Sequence, residues 1–308
     1  MMEEKSTFWN WWHIALLGAV FVVGALSGMR GVFAVNTTPT TQVVVGNAAP
    51  TVSNVVLNHG NAITLTANAT TAVDINFTVT DQNGCADVFT GGHTTSTAYR
   101  SGVGSNCTAD NRYCYIVATT TNDCSGVSAT ANATATVYLY YFAQATDASS
   151  SFPSENWLAT VVVADTSGAT SSATSAGVEL NTLTAINVQS STIDYGTIAA
   201  GASSTGDIAV PFDNVGNSST SLQLSGTAMT SGNNTIATSS QEYATSTFSV
   251  GSGTSLSGTP TDVPGTTIPA PTSTNPVSQP IYWGILIPGG TATGTYTGTN
   301  TYTPVFQP

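Results

Sequence analysis

The chain has 308 residues and a formal net charge of -12, from 16 acidic and 4 basic residues. Only 6% of its residues are charged and 41% are hydrophobic, so it can bury a packed core and is not typical of a disordered protein. The acidic balance argues against nucleic acid as a partner, because binding phosphates requires a basic surface.

The first 34 residues predict an export signal. A charged start is followed by three tryptophans, an apolar run over 14–29 and small residues at Val32 and Ala34. This order is typical of a secretory signal peptide that is cleaved after Ala34. The alternative is an uncleaved anchor, since residues 8–29 are long enough to span a bilayer and would be the only contact with the membrane. Either way, we expect the rest of the chain to be secreted or displayed on the cell surface.

Residues 35–49 form a Thr-rich extended lead. The run Gln42–Val45 within it has the β-branched composition of a strand. Because a lone strand needs an edge to pair with, we expect it to join the first domain. The alternative is strand addition to the sheet of a second copy, which would make the protein self-associate.

Residues 50–188 predict the first of two immunoglobulin-like β-sandwich domains, which makes the fold class all-β. Short stretches alternate apolar and polar residues, and turns rich in Gly, Asn and Asp separate them. The clearest stretches are Ala62–Thr66, Val73–Val79, Thr134–Tyr140 and Trp157–Asp165. Trp157, and Trp283 further along the chain, lie inside strand patterns and are predicted core residues.

All four cysteines fall within residues 50–188 and predict two disulfides. Zinc would require closely spaced Cys-x₂-Cys pairs, which Cys85, Cys107, Cys114 and Cys124 do not form. Of the three pairings, we expect Cys107 with Cys114, because a hairpin would bring the two ends of their loop together. Cys85 with Cys124 then follows by elimination.

The segment after the second predicted strand contains a candidate calcium site. Asp81, Asn83 and Asp87 offer oxygen ligands around a glycine turn, but the acid that would close an EF-hand is missing. Further oxygens would come from loop acids at the sandwich ends, namely Asp147, Glu155 and Asp165. The simpler alternative is an Asx-type turn that binds no metal. We expect no other cofactor.

Little in the sequence predicts catalysis. After residue 34 only His59 and His93 remain as histidines, and the chain has no nucleophile elbow, zinc-protease motif or Gly-rich phosphate loop. A glycosidase needs two facing carboxylates, for which Asp147 and Glu155 are the candidates. Solubilising loop acids are the simpler interpretation of both. We therefore expect no enzymatic activity.

Residues 189–308 predict the second sandwich, with a Pro-rich loop over 254–280. Its opening blocks Ile193–Gly201 and Phe212–Asn217 contain a Tyr-Gly-Thr strand end, a glycine turn and a strand that ends in Asn-x-Gly. These features resemble the start of hydin-type immunoglobulin-like domains. The resemblance implies an immunoglobulin-like fold and carries no implication for function.

Blocks spread over residues 35–308 also resemble secreted surface proteins of the bacterial candidate phyla (Parcubacteria-like), a group with no known activity to transfer. The blocks are Thr80–Cys85, Tyr99–Val103, Thr238–Tyr243 and Tyr282–Ile285. The resemblance implies export and a cell-surface setting. We therefore expect a non-catalytic structural or interaction protein whose partner is a protein or glycan of the cell envelope. The alternative is an adhesin or carbohydrate-binding module that uses loops at the sandwich ends.

Overall fold

The computed structural model describes residues 38–308, and the regular secondary structure in this range consists almost entirely of strands that pair antiparallel. This confirms the all-β prediction. Helical segments in the range are the four-residue α1 (Ala86–Phe89) and three short 3-10 turns, at Asn58–Gly60, Ser101–Val103 and Thr238–Ser240. None of them is long enough to cross a bilayer. The predicted signal, the anchor over 8–29 and the cleavage after Ala34 lie outside the described residues.

The first half of the described chain contains two facing four-stranded sheets. Their strands are β1 (Thr51–Leu57), β2 (Thr70–Thr80), β3 (His93–Arg100), β4 (Cys114–Val117), β5 (Thr121–Asn122), β6 (Thr130–Tyr140), β7 (Trp157–Ala164) and β8 (Thr170–Thr174). One sheet has the order β1-β2-β6-β5 and the other β4-β3-β7-β8. The predicted stretches over 73–79, 134–140 and 157–165 correspond to β2, β6 and β7.

A period of two along each strand creates the first core. Strands β2 and β6 pair without interruption from Thr70 opposite Tyr140 to Thr80 opposite Thr130, so one register keeps the apolar faces of both on the same side. Valine, isoleucine and alanine side chains on that face pack against Trp157 and the valines of β7 from the other sheet. Each buried side chain of Val, Leu or Ile size contributes about 1.5–3 kcal/mol.

The second half forms a five-stranded sheet that faces a three-stranded one. Its strands are β9 (Ile186–Val188), β10 (Ile208–Asn214), β11 (Ser219–Gly226), β12 (Met229–Ser231), β13 (Asn234–Ile236), β14 (Gln241–Ala244), β15 (Thr254–Ser255), β16 (Thr261–Asp262), β17 (Val277–Ile285) and β18 (Asn300–Gln307). The orders are β15-β14-β17-β10-β9 and β16-β11-β18, with β12 and β13 as a separate hairpin. Phe212, Leu222, Leu224 and Trp283 lie fully buried between the two sheets.

The two halves meet in a packed contact. Tyr141, Phe142 and Val215 form a small apolar cluster, and the Asn217 side-chain amide donates to the Ala143 carbonyl at 3.0 Å. Residues 46–308 accordingly form one compact unit. Strand β9 pairs with β10 of the second half, although it precedes the predicted boundary between residues 188 and 189. The second pair of sheets therefore begins a few residues earlier than predicted.

Two predicted strands are not strands in the structure. Within Ala62–Thr66, only Ile63 makes a bridge, to Leu180, and the Thr66 N–H donates to the Thr71 hydroxyl at 2.9 Å. Because the Thr71 hydroxyl takes the Thr66 N–H, a strand ladder cannot continue through Thr66. The run Gln42–Val45 has no regular secondary structure, and its three valines are 78–85% exposed.

The predicted loop over 254–280 also differs in part. Two short strands, β15 and β16, interrupt it, and its last proline, Pro280, lies inside β17 directly opposite Pro211 of β10. Neither proline has an N–H group, so the two occupy a non-hydrogen-bonded position of the ladder, where no donor is required between the strands. This pairing explains how the sheet accommodates proline within two adjacent strands.

Both predicted disulfides are present. Cys85 pairs with Cys124 and Cys107 with Cys114, with Cα atoms 5.8 Å and 6.2 Å apart. The first bond ties the start of α1 to the loop between β5 and β6. The second closes the loop between β3 and β4. Both loops lack regular structure over most of their length, so the bonds restrain the parts of the sandwich that the sheets do not.

We predict unequal stabilisation by the two disulfides. The bonds join residues 39 and 7 positions apart, and the unfolded chain loses more entropy when the longer loop is closed. Replacing Cys85 and Cys124 by serine should cost about 4 kcal/mol of unfolding free energy, and replacing Cys107 and Cys114 about 2.5 kcal/mol. Urea unfolding of the oxidised full chain measures both values, and equal losses or the reverse order would contradict the prediction.

Candidate functional site

Three aspartates converge at one end of the first sandwich. Each of Asp81, Asp87 and Asp165 offers a carboxylate oxygen, and these oxygens all lie within 4.8 Å of one another. Asp81 follows the last residue of β2, Asp87 lies in the first turn of α1, and Asp165 follows the last residue of β7. Asp81 and Asp165 are buried, whereas Asp87 is half-buried. The ends of two strands from opposite sheets and a short helix thus build the cluster.

A glycine allows these elements to come together. Gly92 lies between α1 and β3, and a Cβ atom there would be 2.0 Å from the Ala164 carbonyl oxygen and 2.9 Å from that of Asp87. Only a residue without a side chain can be placed so close to two backbone segments. The backbone N–H of Thr166 donates to Asp87 Oδ1 at 3.2 Å, and the Thr166 hydroxyl donates to the same oxygen. Helix α1 is therefore bonded to the turn that follows β7.

The Asp165 carboxylate is held in its charged form. Its Oδ2 accepts a hydrogen bond from the Asn47 side-chain amide at 2.8 Å, and its Oδ1 accepts from the N–H groups of Ser167 at 2.9 Å and Ala169 at 2.8 Å. The Asn47 amide, assisted by these backbone N–H groups, holds the pKa of Asp165 below its usual range.

Asp81 contributes a buried oxygen that has no partner. The residue is fully buried, and its Oδ1 accepts the Asn83 N–H at 2.8 Å, but no group in residues 38–308 hydrogen-bonds to its Oδ2. The ion pairs of the described chain are Arg100–Glu155 and Arg112–Asp110, so no cationic side chain in that range pairs with the cluster. Buried charges are normally paired or coordinate a metal. Oxygen donors in this arrangement suit a hard divalent cation.

The structure brings together two of the three residues predicted as calcium ligands. The Asn83 side chain binds backbone groups of the lead, since its Oδ1 accepts the Ala48 N–H at 2.7 Å and its Nδ2 donates to the Gly46 carbonyl at 3.2 Å. Asp165, which the sequence offered only as one of several more distant acids, takes the third position. Its turn, Asp-Thr-Ser-Gly directly after a strand, is the local signal that could have favoured it over the others.

Asp147 and Glu155, the other loop acids, lie outside this cluster. Asp147 Oδ1 accepts hydrogen bonds from the Thr182 hydroxyl at 2.6 Å and from the Ser149 N–H at 3.1 Å. The Glu155 carboxylate pairs with the Arg100 guanidinium and accepts the Gly102 N–H at 2.7 Å. Asp147 therefore joins two loops, and Glu155 fixes its loop to Arg100 at the end of β3.

The Arg100 side chain is the buried cation of the first sandwich, a role that no sequence pattern indicated. Arg100 is 8% exposed, its Nε donates to Gln144 Oε1 at 2.9 Å, and its guanidinium carbon lies 3.7 Å from the centre of the Phe152 ring. Together with the pair to Glu155, these contacts compensate the buried charge.

We predict that the Arg100–Glu155 pair, whose guanidinium is buried, stabilises the fold far more than the half-buried Arg112–Asp110 pair. Glu155→Gln leaves the Arg100 charge buried without a counterion and should cost about 3–5 kcal/mol of unfolding free energy. Asp110→Asn is the matched control, since it breaks the Arg112 pair, whose side chains are 36% and 24% exposed, and should cost less than about 1 kcal/mol. Urea unfolding at neutral pH measures both, and similar losses would contradict the prediction.

The stability contributed by the Arg112–Asp110 pair depends on pH. Hydrogen bonds from Arg112 lower the pKa of Asp110 from 3.8 to about 2. Since the folded state lowers this pKa, the pair contributes its stability above pH 3.8 and loses that contribution as the pH falls toward about 2.

A second concave region lies in the second sandwich. It has a volume of about 590 Å³, and its walls include Tyr195, Tyr296, Tyr302, Gln241 and Asn300. The Tyr195 hydroxyl and the Asn300 amide donate to Gln241 Oε1 at 3.0 Å and 2.8 Å, while Gln241 Nε2 is buried without a partner among the described residues. Burial raises the pKa of Tyr195 and of Tyr302, which keeps both phenols neutral. The walls of the cleft therefore combine aromatic rings with neutral amides.

The remaining predicted residues are structural or exposed. Trp157 and Trp283 are fully buried, which confirms their prediction as core residues. His59 is exposed in a 3-10 turn, and His93 is exposed as the first residue of β3.

No protein-family profile matches the chain, and no curated protein is significantly similar to it.

Proposed function

We propose that the protein is a non-catalytic structural or interaction module that is exported to the cell surface. The observation that carries this proposal is the pairing of all four cysteines in two disulfides, with no free thiol. Disulfides form and persist in oxidising compartments outside the cytoplasm. An all-β sandwich closed by such bonds is compatible with an extracellular structural module.

The surface composition supports the same setting. Beyond residue 34 the chain has two arginines and no lysine, and its exposed positions are mostly Thr, Ser, Asn and Gly. Both arginines are engaged in ion pairs. The partner we propose is therefore an envelope or extracellular component recognised through hydroxyl and amide groups, a protein or a glycan, and not a nucleic acid.

The roles of the loop acids support the absence of catalysis. Asp147 and Glu155, the pair that a glycosidase would need, hold a loop and an arginine in place. A hydrolytic pair needs one carboxylate free to transfer a proton and the other free to attack or to activate water.

Export predicts a specific covalent product. When the full chain is produced in a bacterium with an active secretion system, the recovered protein should begin at Val35, contain both disulfides and resist thiol alkylation unless it is reduced. Intact-mass analysis of the alkylated protein tests this, with a variant that lacks residues 1–34 as the cytoplasmic control. A full-length chain with four alkylated cysteines recovered from the cytoplasm would contradict export.

A second candidate function is glycan binding by an adhesin-like module, which the cleft of the second sandwich favours. Its tyrosine rings can stack on sugar faces. Its walls include no residue of the Pro-rich loop over 254–280 or of the loop between Cys107 and Cys114. A glycan array with the wild type and Tyr296→Ala tests the candidate, and it fails if the array shows no binding that depends on Tyr296.

The lead predicts self-association. Val43, Val44 and Val45 are 85%, 82% and 78% exposed, and three consecutive exposed valines favour pairing with a sheet edge of a second copy. Replacing all three by aspartate should shift the protein to monomers in analytical ultracentrifugation while its melting temperature stays the same. Replacing them by threonine, which has the same shape and strand preference, should preserve more of the assembly. A wild type that is monomeric at all concentrations would rule this out.

A further inference from the structure

We propose that Asp81, Asp87 and Asp165 bind one calcium ion, and that this ion fixes residues 46–48, where the lead meets the first sandwich. The inference goes beyond the proposed function, because it rests on the aspartate cluster and would hold for any exported protein with this arrangement.

The spacing of the cluster matches a calcium coordination shell. Calcium binds oxygen ligands at about 2.3–2.6 Å, so two ligands of the same ion are at most about 5 Å apart. The three carboxylate oxygens lie within 4.8 Å of one another. A single ion can therefore contact all three aspartates without a rearrangement of the backbone segments that present them.

The charge balance points to a cation independently of the spacing. Asp81 is fully buried, and its Oδ2 has no hydrogen-bond partner in the described residues. Three carboxylates at this distance repel one another, and the two ion pairs of the described chain lie elsewhere. A divalent cation would satisfy the Asp81 oxygen and remove most of the repulsion at once.

The donor set favours calcium over other common metals. All three ligands are carboxylates, with neither the sulfur nor the nitrogen ligands that zinc prefers. Magnesium demands a compact octahedral geometry, whereas these ligands come from three separate segments of chain, which suits the more variable shell of calcium. Because Asp87 is only half-buried, water can complete the coordination. We expect a dissociation constant of about 0.1–1 mM, the range of extracellular calcium modules.

The ligands also hold the end of the lead through two asparagines. Asn47 donates to Asp165, and Asn83 binds both the Ala48 N–H and the Gly46 carbonyl. The Asn83 N–H in turn donates to Asp81. An ion that fixes Asp81 and Asp165 therefore orders both asparagines, and through them residues 46–48.

Isothermal titration of the EDTA-stripped, dialysed full chain with calcium chloride tests the site. We expect one ion per chain. Asp81→Asn and Asp165→Asn should each weaken binding at least tenfold. Asp262→Asn is the matched control, because Asp262 is an exposed acid of the second sandwich bonded to Gln223, and it should bind like the wild type. Absence of binding at 10 mM calcium (about ten times the weakest expected constant), or equal weakening in the control, would overturn the proposal.

A thermal comparison separates metal binding from a merely structural role of Asp81. With EDTA, Asp81→Asn should melt at a higher temperature than the wild type, because it removes a buried, unpartnered charge. With calcium the order should reverse, since only the wild type gains stability from the ion. If Asp81→Asn lowers the melting temperature equally in both conditions, the carboxylate is structural and the metal site is wrong.

Hydrogen exchange tests the effect on the lead. Calcium should slow exchange of the Ala48 amide, which Asn83 holds, at least tenfold in the wild type and leave it unchanged in Asp165→Asn. The Thr220 amide, bonded to the Ile268 carbonyl in the second sandwich, serves as the internal control. If calcium binds but Ala48 exchange does not respond, the ion does not fix the lead and the second half of the proposal fails.

Discussion

Each sandwich closes around one fully buried tryptophan whose indole N–H must find a partner away from water. Trp157 donates to the Gln144 carbonyl at 2.9 Å, and Trp283 donates to the Tyr302 hydroxyl at 2.7 Å. In the first sandwich the acceptor residue also contacts the buried arginine. The side chain of Gln144 accepts a hydrogen bond from Arg100, and Glu155 balances the charge of Arg100. One indole donor thus connects the start of β7 to the buried cation and to the loop that carries its counterion.

Scarcity of charge shapes the rest of the molecule. Hydroxyl and amide side chains take over tasks that ion pairs often perform elsewhere, and many of them act by binding backbone groups of turns. Asn217 joins the two halves in this way, and Asn83 holds the end of the lead. In a chain with so few charges, three aspartates lie in one place, and no cationic side chain of the described residues pairs with them.

The local alternation of apolar and polar residues was sufficient to predict much of the fold. The period-two runs in β2, β6 and β7 were predictable because each strand buries one face over its whole length. The same logic failed at Ala62–Thr66, where a threonine hydroxyl takes a backbone donor, and at Pro280, which lies at a non-hydrogen-bonded position of the ladder. Neither effect can be predicted without knowing which residue contacts the stretch in the folded chain.

The aspartate cluster marks the limit of sequence reasoning. Asp81 and Asp87 are six positions apart and could be assigned to one loop, whereas Asp165 reaches them only because the ends of β2 and β7 meet across the two sheets. Asn83 has the residue type of a ligand, but its side chain binds backbone groups that lie far away in the sequence. The disulfide pairing could be predicted from the sequence, because four cysteines allow only three pairings.

The loop between Cys107 and Cys114 has a practical consequence for anyone who tries to detect this protein. Arg112, inside that loop, is the more exposed of the two arginines beyond residue 34, and no lysine or arginine follows it. Trypsin that cuts the folded chain there leaves two pieces joined by the disulfide, which differ from the intact protein only by one added water. After reduction, nearly two thirds of the chain remains a single peptide. Standard tryptic peptide mapping would therefore leave residues 113–308 uncovered, and a protease that cleaves at aromatic residues is the better choice for that part of the chain.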